Sequence, residues 1–598
     1  MIRQRIQLSA GISLLLLLLL LATDVAAAQS TIEKAQGIPV NDPLIISKCA
    51  GCHARDANGT MSRISYIRTT PEVWEQILKR MIRLNGLVTT PEESRQILRY
   101  LSNNNGLAPQ EARPIFWEAE HRLFRTQEEE AGVPEELQTT CNQCHTIGRV
   151  LSQRRTAVDY IKLANTHMAL FPGAEPMVFR PTERYAHPED IPVGTTQLNA
   201  YEVELNYPPA PAKTTGKYPL DVALEYLAKN QPLVTPEWAA WKDTIHSPKL
   251  AGVWLVSAYQ PGKGKVYGEM TVEAASTPDD FATKTVLHYP DGQVVTRSGK
   301  GIVYSGYSWR GHATAAPSSG TKDPSFPADT REAMLLSADG NTMDGRWFWG
   351  GYQEFGLDVQ LTRLQRNAVV LGFDLFSVKS PSSSELHIFG ANLPTGLTPA
   401  DFDLGKGVQV TKVVRSSATD VLVQIAVAPG LPASPHNVFV KGMIAPQTLT
   451  VYDKVDYIKV SPDASFARLG GTIAPKQYST FQALGFANGE DGKPGTADDV
   501  ALGPVPSAWS LEEFYSTPKD DDIKYVGSIS DSGLFTPNLE GPNPDRKKQS
   551  NNYPTENWGD VWVDAFYKGP SGETLKARSY LVVGVPQYMH YDQPEVGQ

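Results

Sequence analysis

The 598-residue chain has almost no cysteine, and what it has is confined to two places, Cys49 with Cys52 and Cys141 with Cys144. None is left over for a bridge elsewhere, so the protein must hold its domains together by burial rather than by disulfides. It also lacks any excess of positive charge. Lys and Arg number 55 against 65 Asp and Glu, giving a net charge of -10, and the basic residues are scattered, which excludes a nucleic-acid surface. Zinc-like or triad spacing is missing among the eight histidines outside positions 53, 145 and 167. Long apolar runs are missing too, apart from Ile12 to Leu21 near the start. That run follows Arg3 and Arg5, precedes Ala26-Ala27-Ala28, and is shorter than the roughly 20 residues of a spanning helix. Residues 1–28 therefore read as a cleaved signal peptide, which implies export to the periplasm and no membrane span afterwards.

The cysteines that are present carry the chemistry. Cys49-Ala-Gly-Cys52-His53 and Cys141-Asn-Gln-Cys144-His145 are two copies of Cys-x-x-Cys-His. In that pattern two thiols form thioethers to the porphyrin vinyl groups and the adjacent imidazole meets the iron. A redox Cys-x-x-Cys pair or a zinc site uses similar ligands. Two complete copies in an exported chain with no other cysteine favour two covalently bound haem c groups, with His53 and His145 as proximal ligands.

Each iron needs a sixth ligand or an open position. Arg63, Arg68, Trp74 and Met81 stand 86 residues before Arg149, Arg154, Tyr160 and His167, whereas the cysteine motifs are 92 apart, so the first copy carries about six extra residues after His53. The alignment puts Met81 and His167 at one structural position, and they are the candidate distal iron ligands. Met61 lies too near His53, while Met168 and Met177 remain alternatives for the second haem. The spacing predicts a helix over Pro71 to Leu84, with Thr70 as N-cap and Trp74, Ile77, Leu78 and Met81 on one face. Thr90-Pro-Glu-Glu93 opens another. Met81 has the ordinary reading of a core methionine, and Arg63 and Arg149 that of solvated charges. In a haem domain those two arginines are also candidate propionate contacts.

Beyond about residue 190 the pattern changes to short alternating runs bounded by Gly, Pro, Asn and Asp, so the rest is expected to be β. The expected fold is therefore multidomain α plus all-β: a helical dihaem cytochrome c domain at 29–190, an antiparallel β-barrel at 191–366, an immunoglobulin-like domain at 367–455 and a second one at 456–598. The acidic loop Asn488 to Asp499 resembles calcium loops but lacks the EF-hand order, and reads as a plain turn. Asp520 to Asp522 and the stretch up to Pro544 also read as loops, and as a candidate partner surface.

This order of motifs and domains resembles the dihaem cytochrome c α subunit of quinohemoprotein amine dehydrogenase. The resemblance rests on the two haem motifs, the Arg63 to Gly86 and Arg149 to His167 stretches, and Gly559-Asp-Val-Trp-Val563. It implies an oxidoreductase subunit in a heterotrimer with a β-propeller subunit and a small γ subunit carrying cysteine tryptophylquinone. Primary amines would be oxidised to aldehyde and ammonia on that partner, so no catalytic residue is expected in this chain. Electrons would leave through the two haems to a soluble acceptor such as a blue copper protein or cytochrome c. The competing readings are a self-contained dihaem enzyme such as a peroxidase, which needs an open iron with acid and base groups nearby, and a haem-bearing binding protein.

Overall fold

The computed structural model describes residues 36–115, 137, 140–141, 147–180, 218–244, 247–315, 324–326, 328–514, 520–546 and 556–586. The signal segment lies outside them. The described residues divide into two compact units, the first ending at Thr244 and the second beginning at Ser247.

The first unit is helical and bears the repeat. Its helices start where the sequence supplies caps and prolines. Pro71–Asn85 opens with Pro71 behind an extended Thr70 and stops at Gly86, whose φ of 72° only glycine adopts without strain. Thr90 and Glu93 form a reciprocal capping box for Pro91–Asn104, with Glu93 N–H donating to Thr90 Oγ1 at 3.2 Å and Thr90 N–H to Glu93 Oε2 at 2.9 Å. Thr156 caps Ala157–Leu170 through the Asp159 N–H.

The helical region does not end near residue 190. Two further helices, Pro219–Asn230 and Pro236–Trp241, belong to the first unit, and the barrel begins only at Gly252. Pro219–Asn230 carries a legible signal, a proline at its first position and Leu220, Ala223 and Leu227 at helical spacing, whereas Pro236–Trp241 has only six residues. They complete the repeat. In the first copy Trp74 Nε1 donates to the Asn105 carbonyl, just past Pro91–Asn104 (3.2 Å), and in the second Tyr160 Oη donates to the Gln231 carbonyl, just past Pro219–Asn230 (2.9 Å).

The copies meet along two short antiparallel strands, β1 (Ile67–Arg68) and β2 (Arg154–Arg155), which set Arg68 opposite Arg154. These are the two residues that the 86-residue offset makes equivalent, so the copies are related by a local two-fold axis at this pair. Both guanidiniums reach one carboxylate. Arg68 is fully buried and binds Glu111 bidentately at 2.7 and 2.8 Å, and Arg154 approaches Glu111 Oε1 to 3.3 Å. The Thr235 hydroxyl and the Ala108 N–H complete the carboxylate's partners at 2.7 and 2.8 Å.

The second unit is β throughout. Strands β3 (Gly252–Gln260), β4 (Gly264–Ala274), β5 (Asp280–His288), β6 (Val294–Tyr304), β7 (Ser308–Ala315), β8 (Asp329–Leu336), β9 (Thr342–Trp349) and β10 (Phe355–Arg363) run up and down, and β10 closes onto β3. Alternate residues point inward, as in β5, where Phe281, Thr283, Thr285 and Leu287 are buried between exposed or half-buried neighbours. Trp254, Trp309, Trp347, Met270, Met334 and Met343 fill the interior. Two four-stranded sheets follow between Val369 and Tyr452 and share a core of aliphatic residues with Phe373. Tyr267 of β4 joins barrel to sheets, stacking on Phe389 at 4.3 Å and donating to the Phe373 carbonyl at 2.8 Å. The last region, Tyr457–Gly584, has one four-stranded and two three-stranded sheets around Phe481, Phe535 and Val561.

Candidate haem-binding site

Cys49 is the last residue of the helix Pro43–Cys49, which Asp42 caps by accepting from the Ile45 N–H at 3.0 Å. The chain then turns tightly, with the Cys52 and His53 N–H groups both returning to the Cys49 carbonyl at 3.1 and 2.9 Å. This fixes the spacing of two thiols and one imidazole that covalent haem attachment needs. Cys49, Cys52 and Cys141 are unbridged. Burial, and secondarily the neighbouring Cys52, raises the Cys49 thiol pKa. Burial pushes Cys141 up to about 12. Cys141 packs beside Leu137, Ile147, Leu151, Tyr160, Ala223 and Leu227, so one of the helices beyond residue 218 helps to wall the second site. Cys144 and His145 lie outside the described residues.

The six extra residues of the first copy form a closed turn. Arg55 bridges to Met61, and Asp56 accepts from the Asn58 and Thr60 N–H groups at 2.9 Å each and from the Thr60 hydroxyl at 2.7 Å. The turn returns the chain to His53, whose Nδ1 lies 2.9 Å from the Ser62 carbonyl. A carbonyl only accepts, so Nδ1 carries the proton and the lone pair sits on Nε2, the arrangement that orients an iron-ligating imidazole. Met61, at the end of the turn, is fully buried.

His167 shows the same arrangement without a sequence motif to announce it. Its Nδ1 is 2.9 Å from the Leu163 carbonyl one turn back, which again leaves the lone pair on Nε2. Burial is the main cause of its lowered pKa. The Leu163 bond opposes this, and the Arg80 and Arg155 charges add to it. A half-buried neutral imidazole is a competent metal ligand. Phe179 stands edge-on to the ring at 6.3 Å. Met168, an alternative ligand by sequence, instead packs against the cluster of Ala164, Phe179 and Leu220. Met81 is half-buried on the last turn of Pro71–Asn85, beyond the buried Trp74 and Leu78.

The two arginines singled out by the repeat each reach across to the other copy. Arg63, at a left-handed φ of 67°, places Nε 3.4 Å from Asp159 Oδ1, and Arg149 donates to Gln76 Oε1. Arg155 Nη1 is a buried donor with no hydrogen-bond acceptor, and Arg63 Nε has only the ion pair with Asp159. A buried cationic donor such as Arg155 Nη1 fits a carboxylate-bearing cofactor such as haem, whose propionates would accept from it. Arg155, only 3% exposed, was not distinguished by sequence, although it directly follows the aligned Arg154.

Comparison with known proteins agrees with this geometry. A family model described as quinohemoprotein amine dehydrogenase A, alpha subunit, haem binding, matches residues 40–182. Models for quinohemoprotein amine dehydrogenase alpha subunit domains II, III and IV match residues 247–364, 376–453 and 458–596. No curated protein matches the chain. Among solved structures, a de novo designed fluorescence-activating β-barrel is 14% identical, covers 19% of this chain and 93% of its own, and has a TM-score of 0.15. A mouse clustered protocadherin fragment is 11% identical over 42% of this chain and 77% of its own, at a TM-score of 0.14. Tandem immunoglobulin repeats of Dlar are 14% identical over 37% of this chain and 100% of their own, at 0.12. Scores this low bear on neither fold nor function.

Proposed function

The chain belongs to the family of quinohemoprotein amine dehydrogenase α subunits, and from that premise we propose that it is the dihaem electron-transfer subunit of a periplasmic amine dehydrogenase. The observation that supports this is the haem-binding match at 40–182, which spans both Cys-x-x-Cys-His motifs. Two haem c groups would supply one-electron redox chemistry, accepting singly what amine oxidation releases in pairs. Cys49 with Cys52, and Cys141 with Cys144, would tether them. His53 and His145 would hold the proximal positions, and Met81 and His167 the distal ones. Arg63 and Arg149, each bound to the opposite copy, would contact propionates and set the two groups at a fixed separation.

The amine-oxidising site belongs on a partner, because all four thiols of this chain are committed to haem and none remains for a thioether-linked quinone. In this reading a small γ subunit bears cysteine tryptophylquinone, a β-propeller subunit completes the heterotrimer, and a blue copper protein or cytochrome c takes the electrons. The two sheets around one core at 369–452 support an immunoglobulin-like assignment there, and we extend it to the region after residue 456. The purified chain should stain for two haems on a denaturing gel, and C49A/C52A should leave one. Alone it should be redox-active but leave its haems oxidised when amine is added, with turnover appearing once the quinone-bearing subunit is supplied. Haem removed by acid acetone, or reduced by amine without a partner, would refute covalent attachment or the division of labour respectively.

A further inference from the structure

The two acidic stretches of the last β region behave in opposite ways. In the 488–499 loop the carboxylates are consumed locally. Asp499 Oδ2 accepts from the Tyr457 hydroxyl at 2.6 Å and from the Gly495 and Thr496 N–H groups at 2.7 and 2.9 Å, and its pKa falls, with the Tyr457 bond as the main cause. A second group comes from neighbouring segments: Glu513 at the end of the strand Ala508–Glu513, and Asp520 and Asp522 at the turn at 520–524. One carboxylate oxygen from each lies within 4.8 Å of the others. Glu513 is 7% exposed and Asp522 6%, yet Glu513 Oε1 is buried with no hydrogen-bond partner, while Oε2 accepts from the Ile523 N–H at 3.1 Å. Asp560, 8% exposed, adds another carboxylate beside Asp522, and its own N–H donates to Asp522 Oδ2 at 2.9 Å. Arg546 pairs with Asp522 and so offsets one of the four negative charges.

We propose that Glu513, Asp520 and Asp522 form a calcium site that ties the end of Ala508–Glu513 and the turn at 520–524 to the start of Gly559–Lys568. Arg546 answers only one of these carboxylates, and a buried carboxylate oxygen left without a donor, as Glu513 Oε1 is, has the free lone pairs that a metal ligand needs. Oxygen ligands at about 2.3–2.6 Å from calcium stand up to about 5 Å apart, which the observed spread fits, and calcium tolerates the irregular geometry that magnesium does not. Gly559 lets the carboxylate in. A Cβ there would meet Asp522 Oδ2 at 2.1 Å.

The test uses the full haem-loaded chain, stripped with chelator and dialysed against calcium chloride. One calcium per chain should be retained, and unfolding should move to higher temperature. E513Q and D520N should each weaken binding by about tenfold or more, and E513Q should also raise the unfolding temperature in chelator, because it removes a buried charge. D499N should bind as wild type does. The two variants test the same site, so failure of one to fold leaves the other as the measure. Absence of saturable calcium binding by the wild-type chain overturns the proposal, as does wild-type affinity in whichever variants fold.

Discussion

Replacing Glu111 by Gln tests whether the two-fold join of the haem unit depends on one carboxylate. Burial by itself would raise the Glu111 pKa, but the Arg68 hydrogen bonds and charge, the Ala108 N–H and the Arg154 charge outweigh it and bring the value from 4.5 to about 2. At about 1.4 kcal/mol for each tenfold change in proton affinity, that is about 3 kcal/mol. E111Q leaves Arg68, fully buried, and Arg154, 7% exposed, without a counter-charge. Removing one partner of such a group costs about 3–5 kcal/mol, and the two figures agree. The native pKa is depressed, so the stabilisation is complete above pH about 4.5 and lost as pH falls toward about 2. Denaturant unfolding followed by haem absorbance should therefore show E111Q destabilised by about 3 kcal/mol at pH about 7, with a flatter profile than wild type below pH about 4.5. A loss of under about 1 kcal/mol at neutral pH, or parallel acid profiles, would refute the reasoning.

Met81→His should lower one of two resolved haem midpoints and draw the pair together, and His167→Met should raise the other, because a methionine ligand favours ferrous iron relative to a second histidine. Redox titration followed by absorbance reads both. If neither midpoint moves, neither side chain is a ligand. In the barrel, burial raises Glu332 to about 7, against the Trp309 N–H at 2.9 Å and the Arg297 charge. A raised carboxyl pKa means that stability falls as pH climbs from about 4.5 toward about 7, so E332Q should match wild type at pH about 4 and exceed it by up to about 3 kcal/mol at pH about 8. Thermal unfolding at the two pH values checks this, and a variant less stable than wild type at the higher pH would show that the ionised carboxylate is needed.

The sequence by itself determined what depends on local chemistry and fixed spacing. The two Cys-x-x-Cys-His motifs marked the haem-binding region, which the family match at 40–182 contains. The 86-residue offset equated Arg68 with Arg154 and Met81 with His167, because helix and turn lengths survive duplication. Alternation of apolar residues marked a barrel and its end near residue 366, since a strand's side chains must alternate, but set its start at 191 rather than at Gly252. Tertiary structure decided what depends on residues far apart in the chain. Glu111, on a four-residue helix, gives no sign in sequence that it joins two arginines 86 residues apart. Pro236–Trp241 is too short for periodicity to reveal, whereas Pro219–Asn230 does space Leu220, Ala223 and Leu227 as a helix; that both belong to the haem unit is decided by tertiary packing and by hydrogen bonds such as that from Tyr160 to Gln231. Two acidic stretches equal in sign separate only in three dimensions: one folds its carboxylates onto its own N–H groups, and the other turns them toward one another, because hydrogen bonding and repulsion depend on distances that composition does not record.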